Sequence, residues 1–473
     1  MKDFLLQHAD RDPVSFHMPG HKGTAIFRKY GYGEFLDKFV DCDVTEIPGA
    51  DNLFQAEGII KDVMERYAAL YDVQNSFLLI NGSSGGLIAS VMASVRPGGK
   101  LIMARNCHKS VFNALALAGV SPVYAQPEFI EEYGISGAVP VEEIVRCMDE
   151  NPDADAVILP SPNYYGICSD IEAIAKAVHS RGKILIVDQA HGAHLKFFHK
   201  FGFGDGMPKS AEESGADLVI GSIHKTLASL TQSAILNHNT DRVSKYVLED
   251  KLQMIESSSP SYILMSFLDI NAEILENHGA DAIGEWRRRL NEFYEQLQQI
   301  PGLKIMCTET GAGSMDMTKV NIDMGAYGID GAALEQELMK YGIFSELYAG
   351  NVLMLMTGIG NTKEHFDRTI AALKDIAARH ELREIAAATG KSRFKAPQMG
   401  TLHPIPVDKE LVPLDDAAGR ICASSIIPYP PGIPFVCPGE EITEEMIAYV
   451  KALRDDSEKV IGLTDKSEVI VGK

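Results

Sequence analysis

The sequence predicts an α/β protein built on a mostly parallel sheet with helices on both faces, and three observations predict it. Short apolar runs of strand length alternate with helical stretches from about residue 75 to 240. Each run is continuously apolar and stops at a polar turn, the pattern of a strand buried on both sides. The composition is ordinary for a globular protein: 473 residues, 45% hydrophobic and 23% charged, enough for two or three domains with a large core.

Taken in order, residues 1–55 read as an irregular N-terminal segment. Within it, 15–23 (SFHMPGHKG) is dense in turn formers, and His17, His21 and Lys22 are candidates to face a ligand. Two histidines at this spacing more often belong to a hydrogen-bonded loop than to a metal site. A second Pro/Gly loop, 45–54 (TEIPGADNLF), runs into a helix over 56–71, where Ile59, Ile60, Val63, Met64, Tyr67 and Leu70 recur near helical spacing. A strand at 76–80, the turn NGSSGG at 81–86 and a stripe of Leu87, Ile88, Val91, Met92 and Val95 make a strand-turn-helix unit. That junction sets free backbone N–H groups and two hydroxyls at a helix N-terminus, which suits an anion. It is neither a Walker A loop nor GxGxxG. The plainer alternative is a capping turn with Ser83 or Ser84 as the N-cap.

A strand at 100–104 precedes ARNCHKS, a helix over 111–118 follows, and His108 lies just beyond the strand end. Another strand, 156–160, leads into SPNYYG and a helix ending near 180. The strand 183–187 ends on Asp188 and is followed by QAHGAH. Then comes the apolar run 218–220, the turn Gly221-Ser222, the segment Ile223-His224-Lys225-Thr226, and a second apolar run at 233–236. Open α/β sheets carry their ligands beyond the carboxyl ends of such strands. A lysine there, in apolar surroundings, is costly unless its charge is paired or chemically used. Beyond 236, charged helical segments are predicted at 242–255, 268–276 and 283–299, then a smaller α/β unit at about 303–380 and a linker-like stretch near 386–410. The last part contains YPPGIPFVCPGE at 429–440, too rich in proline for a central strand or helix. The expected domains are a segment 1–55, a large domain 56–270, a small α/β domain 271–385, and a linker with a C-terminal α+β domain at 386–473.

A net charge of −21 argues against nucleic acid or an anionic membrane surface as partner. The seven cysteines are scattered and none forms C-x-x-C, so neither a metal site nor a disulfide framework is expected, and a reducing cytoplasm is. MKDFLLQHADRD has no apolar signal region and no 18-residue apolar run occurs, so neither a signal peptide nor a membrane span is expected.

Four features follow apolar strands in one order: NGSSGG, His108, Asp188, and Ser222-x-His224-Lys225. Together they are what pyridoxal phosphate needs. A lysine bonds to its carbonyl, an aspartate keeps the pyridine nitrogen protonated, a flat side chain stacks on the ring, and a helix N-terminus with hydroxyls holds the phosphate.

The chain then resembles a known family. HMPGHKG at 17–23, NGSSGG at 81–86, ARNCHKS at 104–110, DQAHGAH at 188–194, SIHKTLASLTQSAIL at 222–236, SSSPSYILMSFLD at 257–269 and YPPGIPFVCPGE at 429–440 are similar to the ornithine/lysine/arginine decarboxylases. These belong to the aspartate-aminotransferase-like, fold type I enzymes. The S-x-H-K and YPPG(I/V)P stretches are the most discriminating. The resemblance implies that Lys225 carries the cofactor, Asp188 binds its ring nitrogen, and His108 stacks on the ring. It implies that Ser83, Ser84, Ser222 and His224 line the phosphate, and that His191 lies close to the cofactor. Ser258 or Ser259 would reach the phosphate of a second subunit, giving a homodimer or dimer-based oligomer with interfacial sites, and Glu440 would approach the distal cation of the substrate. Larger members begin with a wing domain used in higher assembly, whereas this sequence starts near the cofactor domain.

The implied reaction is α-decarboxylation of a basic amino acid, with Lys225 or His224 returning the proton to Cα. By association with short family members the substrate is arginine, with lysine or ornithine as alternatives. An aminotransferase on the same fold would need an arginine clamp in the smaller domain, and between 303 and 376 the only arginine is Arg368. A non-catalytic cofactor-binding protein is the rival of another class.

Overall fold

The computed structural model describes residues 1–306, 314–383, 399–429, 433–455 and 459–473. Seven strands form the central sheet: β1 (Asn75–Leu79), β2 (Lys100–Ala104), β3 (Ser121–Ala125), β4 (Ala156–Pro160), β5 (Ile184–Asp188), β6 (Leu218–Gly221) and β7 (Ala234–His238). Their spatial order is β1-β7-β6-β5-β4-β2-β3. Only β7 runs against its neighbours. The connection from β6 to β7 holds a single helical turn, Ile223–Thr226, and the chain folds straight back. The continuous apolar runs are explained by burial on both faces: Leu101, Ile102, Met103, Val157, Ile158, Leu159, Leu185, Ile186 and Val187 are all inaccessible to solvent.

The carboxyl ends of β1, β2, β5 and β6 meet along one edge and carry NGSSGG, His108, Asp188 and Lys225 respectively. The NGSSGG stretch is not a free turn, because the helix after β1 begins at Gly82, with Asn81 as an N-cap that makes no side-chain capping bond. Neither serine is therefore the cap, and both sit in the first turn. Gly86 permits close packing there, since a Cβ would lie 2.5 Å from Leu79 Cδ1.

The N-terminal segment is more regular than its composition suggests. It contains the helices Lys2–Asp10, Ala25–Lys29 and Gly33–Lys38. The two helices expected at 268–276 and 283–299 are one helix of 37 residues, Tyr262–Gln298. Two glycines make the sequence look interrupted, but each admits an aromatic ring. A Cβ on Gly279 would overlap Phe201, and one on Gly284 would sit 2.7 Å from Phe203 Cζ. The helical cost of glycine is offset by packing that only glycine allows.

A smaller antiparallel sheet contains β8 (Lys304–Ile305), β9 (Lys319–Asp323), β10 (Leu347–Ala349) and β11 (Val352–Met356), in the order β8-β9-β11-β10. The helix Gly331–Met339 packs against it, and Lys363–Arg379 shares its apolar core through Phe366, Ile370, Leu373 and Ile376. Two short pairings beside this sheet, Val14 with Ile343 and Ile167 with Met315, are among the contacts that join this part to the rest of the chain. The C-terminal part has its own core, including Leu414, Ile426, Val436, Met446, Val450 and Val469, beside the pairing of Lys409–Pro413 with Glu468–Gly472. Cys307, Pro430 and the greater part of the expected linker lie outside the described residues. Among those described, no helix is long and apolar enough to cross a membrane.

Candidate active site

Lys225 is at the centre of the sheet edge. Its Nζ lies 2.8 Å from His191 Nε2 and 5.8 Å from the centre of the Tyr164 ring. Burial pushes its pKa down to about 8, against the opposing pull of Asp188 and Glu346. Burial likewise holds His191 well below the usual histidine range, with the Lys225 charge adding to the effect. His191 is thus neutral. With Nε2 accepting from Lys225, Nδ1 carries the proton, and that Nδ1 is buried without a hydrogen-bond partner.

Asp188, at the end of β5, is 6% exposed, and burial raises its carboxyl pKa while Lys225 pulls it back. Its Oδ1 accepts from the Ala190 N–H at 3.1 Å. His108 caps the helix Lys109–Ala118, its Nδ1 accepting from the Ser110 N–H at 3.3 Å. Burial, then the Lys225 charge, brings it down to about 3, so its ring is neutral. His224 donates from Nδ1 to Ser233 O at 2.8 Å, and burial takes it down to about 4, leaving Nε2 unprotonated. Ser222 Oγ is buried without a partner. The helix start at 82–84 abuts the same loop, because Gln232 Nε2 donates to Ile80 O at 2.7 Å. Ser83 and Ser84 are half-buried there.

The structure thus brings Lys225, His191, Asp188 and His108 into one electrostatic group, with Ser222, His224, Ser83 and Ser84 on the adjoining turns. Ser258 and Ser259 are exposed on the loop after Glu256, and that residue accepts from the Asn81 N–H at 3.3 Å. Glu440 is placed differently from the sequence expectation. It is fully buried, its Oε1 accepting from the Gly400 N–H at 2.9 Å and its Oε2 from the Cys437 N–H at 2.8 Å, with Arg105 Nη2 at 3.4 Å. Arg105 in turn donates to the carbonyls of Pro434 and Phe435. The carboxylate anchors the C-terminal segment to the end of β2. Arg368 bonds Asp12 at the surface and clamps nothing at the site.

Sequence reasoning passed over Glu346 and Tyr164, and named His17, His21 and Lys22 only as candidates to face a ligand. Glu346 is a carboxylate whose charge acts on Lys225, Lys22 and Lys319. Its Oε2 accepts from the Met18 N–H at 3.0 Å, and Oε1 has no protein donor among the described residues. Lys22 turns inward, with Nζ on the carbonyls of His17 and Met356, and burial takes it down to about 7. His21 bonds within its own loop, as does His17. The Tyr164 ring centre is 4.6 Å from that of His191. The run SPNYYG after a strand was the available signal for Tyr164; nothing local singled out Glu346.

The sequence matches the family described as Orn/Lys/Arg decarboxylase, major domain, over residues 1–311, and its C-terminal domain over residues 387–468. The chain belongs to the Orn/Lys/Arg decarboxylase family. The arginine decarboxylase of Bacillus subtilis (strain 168) is 35% identical, over 94% of this chain and 91% of the relative. The lysine decarboxylase LdcA of Pseudomonas aeruginosa is 24% identical, over 93% of this chain and 73% of its own. Among solved structures, the constitutive lysine decarboxylase of E. coli superposes with a TM-score of 0.78 at 20% identity, over 96% of this chain and 79% of that one, a likeness of fold. The fold is type I, and membership makes this protein a pyridoxal-phosphate-dependent amino-acid decarboxylase.

Proposed function

We propose that the chain decarboxylates L-arginine to agmatine and carbon dioxide, with pyridoxal phosphate held at the Lys225 edge of the large sheet. The observation that carries this reading is the buried lysine with a pKa near 8, set between a buried carboxylate and two neutral histidines. The residues present fit the cofactor. Ser222 Oγ and the His191 Nδ1 proton are buried polar groups without partners, and a helix opens with free N–H groups beside them.

When bound, the cofactor supplies an electron sink for the pair left on Cα as the carboxylate departs. The protein supplies the rest. Lys225 Nζ, part neutral near pH 8, would make the covalent attachment. Asp188 would hold a proton on the ring nitrogen, a contact its burial would strengthen. His108 would stack on the ring. Ser83, Ser84, Ser222 and the N–H groups of the helix after β1 would receive the phosphate, with His224 beside it. Lys225 Nζ also returns the proton to Cα; His224 has its Nδ1 proton committed to Ser233 O. Glu346, with Oε1 open, meets a cationic group of the substrate better than Glu440, whose oxygens already face protein donors.

Arginine is preferred over lysine or ornithine because the relative of that name matches at 35% identity and nearly full length, while LdcA stands at 24%. The working unit is a cytoplasmic homodimer in which Ser258 or Ser259 serves the neighbouring site. The test is product identification with purified protein, pyridoxal phosphate, and arginine, lysine and ornithine at equal concentration. Agmatine with stoichiometric carbon dioxide supports the reading, cadaverine or putrescine changes the substrate, and a keto acid without carbon dioxide overturns the reaction.

A further inference from the structure

Behind the Lys225 cluster lies a group of buried charges that the mechanism above does not use. The side chains of His194, Asp316 and Lys319 have no exposed surface, and Thr318 is fully buried with them. Lys319 Nζ donates to Asp316 Oδ2 at 2.7 Å, to His191 O at 2.5 Å and to Thr318 Oγ1 at 3.2 Å, so each ammonium proton has an acceptor. Asp316 Oδ1 accepts from the Thr318 N–H at 2.9 Å and its hydroxyl at 2.7 Å, and His194 Nε2 stands 3.1 Å away. The other nitrogen of His194, Nδ1, is 3.1 Å from Thr226 Oγ1.

A buried ion pair is a costly way to join two elements, and packed apolar side chains of similar volume do the same at least as well. Apolar side chains cannot, however, grip a backbone carbonyl on one loop and a hydroxyl on another. Here the pair sits at the start of β9, on the smaller sheet. His191 and His194 belong to the loop after β5, and Thr226 follows Lys225 directly. The small domain therefore holds both loops that present the reactive amine, through one charged pair.

We propose that Asp316 and Lys319 are positioning residues: they fix the His191 backbone and the Thr226 hydroxyl, and through these the amine of Lys225. The inference rests on the reading of Lys225 as the point of covalent attachment. Two branches carry the effect. Lys319 holds the carbonyl of the residue whose Nε2 receives the Lys225 proton. Asp316 orients His194. Burial alone would raise the Asp316 carboxyl, but the Lys319 charge and the hydrogen bonds from Lys319 and His194 outweigh it and keep it ionised. Burial keeps His194 neutral, so Nε2–H donates to Asp316 and Nδ1 accepts from Thr226. The groups whose charge bears on Lys225 are Asp188, Glu346 and Lys319. The histidines His108 and His191 also stand near it, both neutral. Lys319 is the one cation among those named, and its loss raises the pKa of Lys225.

The test uses the full chain carrying Lys319→Met, the double change Asp316→Leu/Lys319→Met, and Thr226→Val, with Lys225→Ala as control. Three quantities are read: the thermal midpoint, kcat with cofactor, and, in the apoenzyme, the pH midpoint for reductive methylation of Lys225 by formaldehyde with cyanoborohydride as the hydride donor, followed by peptide mass spectrometry. Lys319→Met alone loses stability, because Asp316 is left buried and unpaired. The double change recovers the parental thermal midpoint, yet its methylation midpoint moves up and kcat stays about 10–100-fold low, the scale of a small misplacement. Thr226→Val leaves the ion pair and the Lys319 charge intact, tests the His194 branch even if the double variant does not fold, and lowers kcat. A double variant with parental methylation midpoint and kcat, or failing that a Thr226→Val protein with parental kcat, overturns the proposal and makes the pair purely structural. A Lys225→Ala protein that keeps turnover instead overturns the reading on which it rests.

Discussion

Lys225 Nζ and His191 Nε2 are 2.8 Å apart, and this contact fixes where protons sit at the site. The imidazole is neutral and accepts, so the lysine is the donor. With its pKa depressed to about 8, Lys225 is part neutral in the range where an ordinary lysine is fully charged. Capture of pyridoxal phosphate by the apoenzyme should therefore speed up as pH rises through about 8, followed by stopped-flow absorbance. The same group contributes to stability with a defined sign. Between about 8 and the model-peptide value near 10.4 the unfolded chain binds the extra proton, so this residue makes the apoenzyme more stable as pH rises across that window. Lys225→Ala should abolish turnover and the absorbance of the covalently attached cofactor; a variant keeping both would remove Lys225 from its assigned role.

Asp188→Asn preserves shape and removes charge. The protein should still bind pyridoxal phosphate by equilibrium dialysis but lose activity by about 10²–10³-fold, the scale of removing one preorganised electrostatic partner. Near-normal carbon dioxide release would mean that another group holds the ring proton.

The pair Arg105–Glu440 predicts a stability effect without a substrate effect. Arg105 is 14% exposed and Glu440 fully buried, so removing one partner strands the other charge. Glu440→Ala should cost about 3–5 kcal/mol, seen as a lower thermal midpoint, while KM for arginine in the folded fraction stays within a factor of two or three. A large rise in KM with unchanged stability would restore the substrate role that the sequence suggested for Glu440.

The sequence made the large sheet legible because its strands are buried on both faces and so appear as uninterrupted apolar runs. His108, Asp188 and Lys225 were legible because each directly follows one of those runs. What escaped were partnerships over long distances in sequence. Lys319 reaches the carbonyl of His191 across 128 positions, and Glu346 meets the backbone of Met18 across 328. A lone lysine at the start of a short strand carries no mark of such a bond. The long helix was misread as two for a related reason: Gly279 and Gly284 look like breaks until Phe201 and Phe203, far upstream, are seen to pack on them. The contact of Glu440 with Arg105 escaped for the same reason, since the two lie 335 positions apart.

The last prediction concerns the seam beside the lysine loop. Gly20 donates its N–H to His224 O at 2.7 Å, and its own carbonyl accepts from the Gly360 N–H at 3.0 Å. Ile359 N–H reaches Thr226 O at 2.9 Å. Three backbones from the N-terminal loop, the lysine loop and the small domain therefore lie against one another with no side chain between them. A Cβ on Gly20 would overlap the Thr226 carbonyl carbon and lie 2.6 Å from its Cα, and one on Gly358 would lie 2.6 Å from Gly20 O. These neighbours are backbone, not flexible side-chain ends, so they yield only by moving the loop. Gly20→Ala should shift the residue next to Lys225, lowering kcat by about tenfold or more. It should also speed hydrogen exchange at the amides of 224–227, read by mass spectrometry. A Gly20→Ala enzyme with parental kcat and exchange would show that the seam closes without glycine, and that the N-terminal loop has no part in holding the lysine.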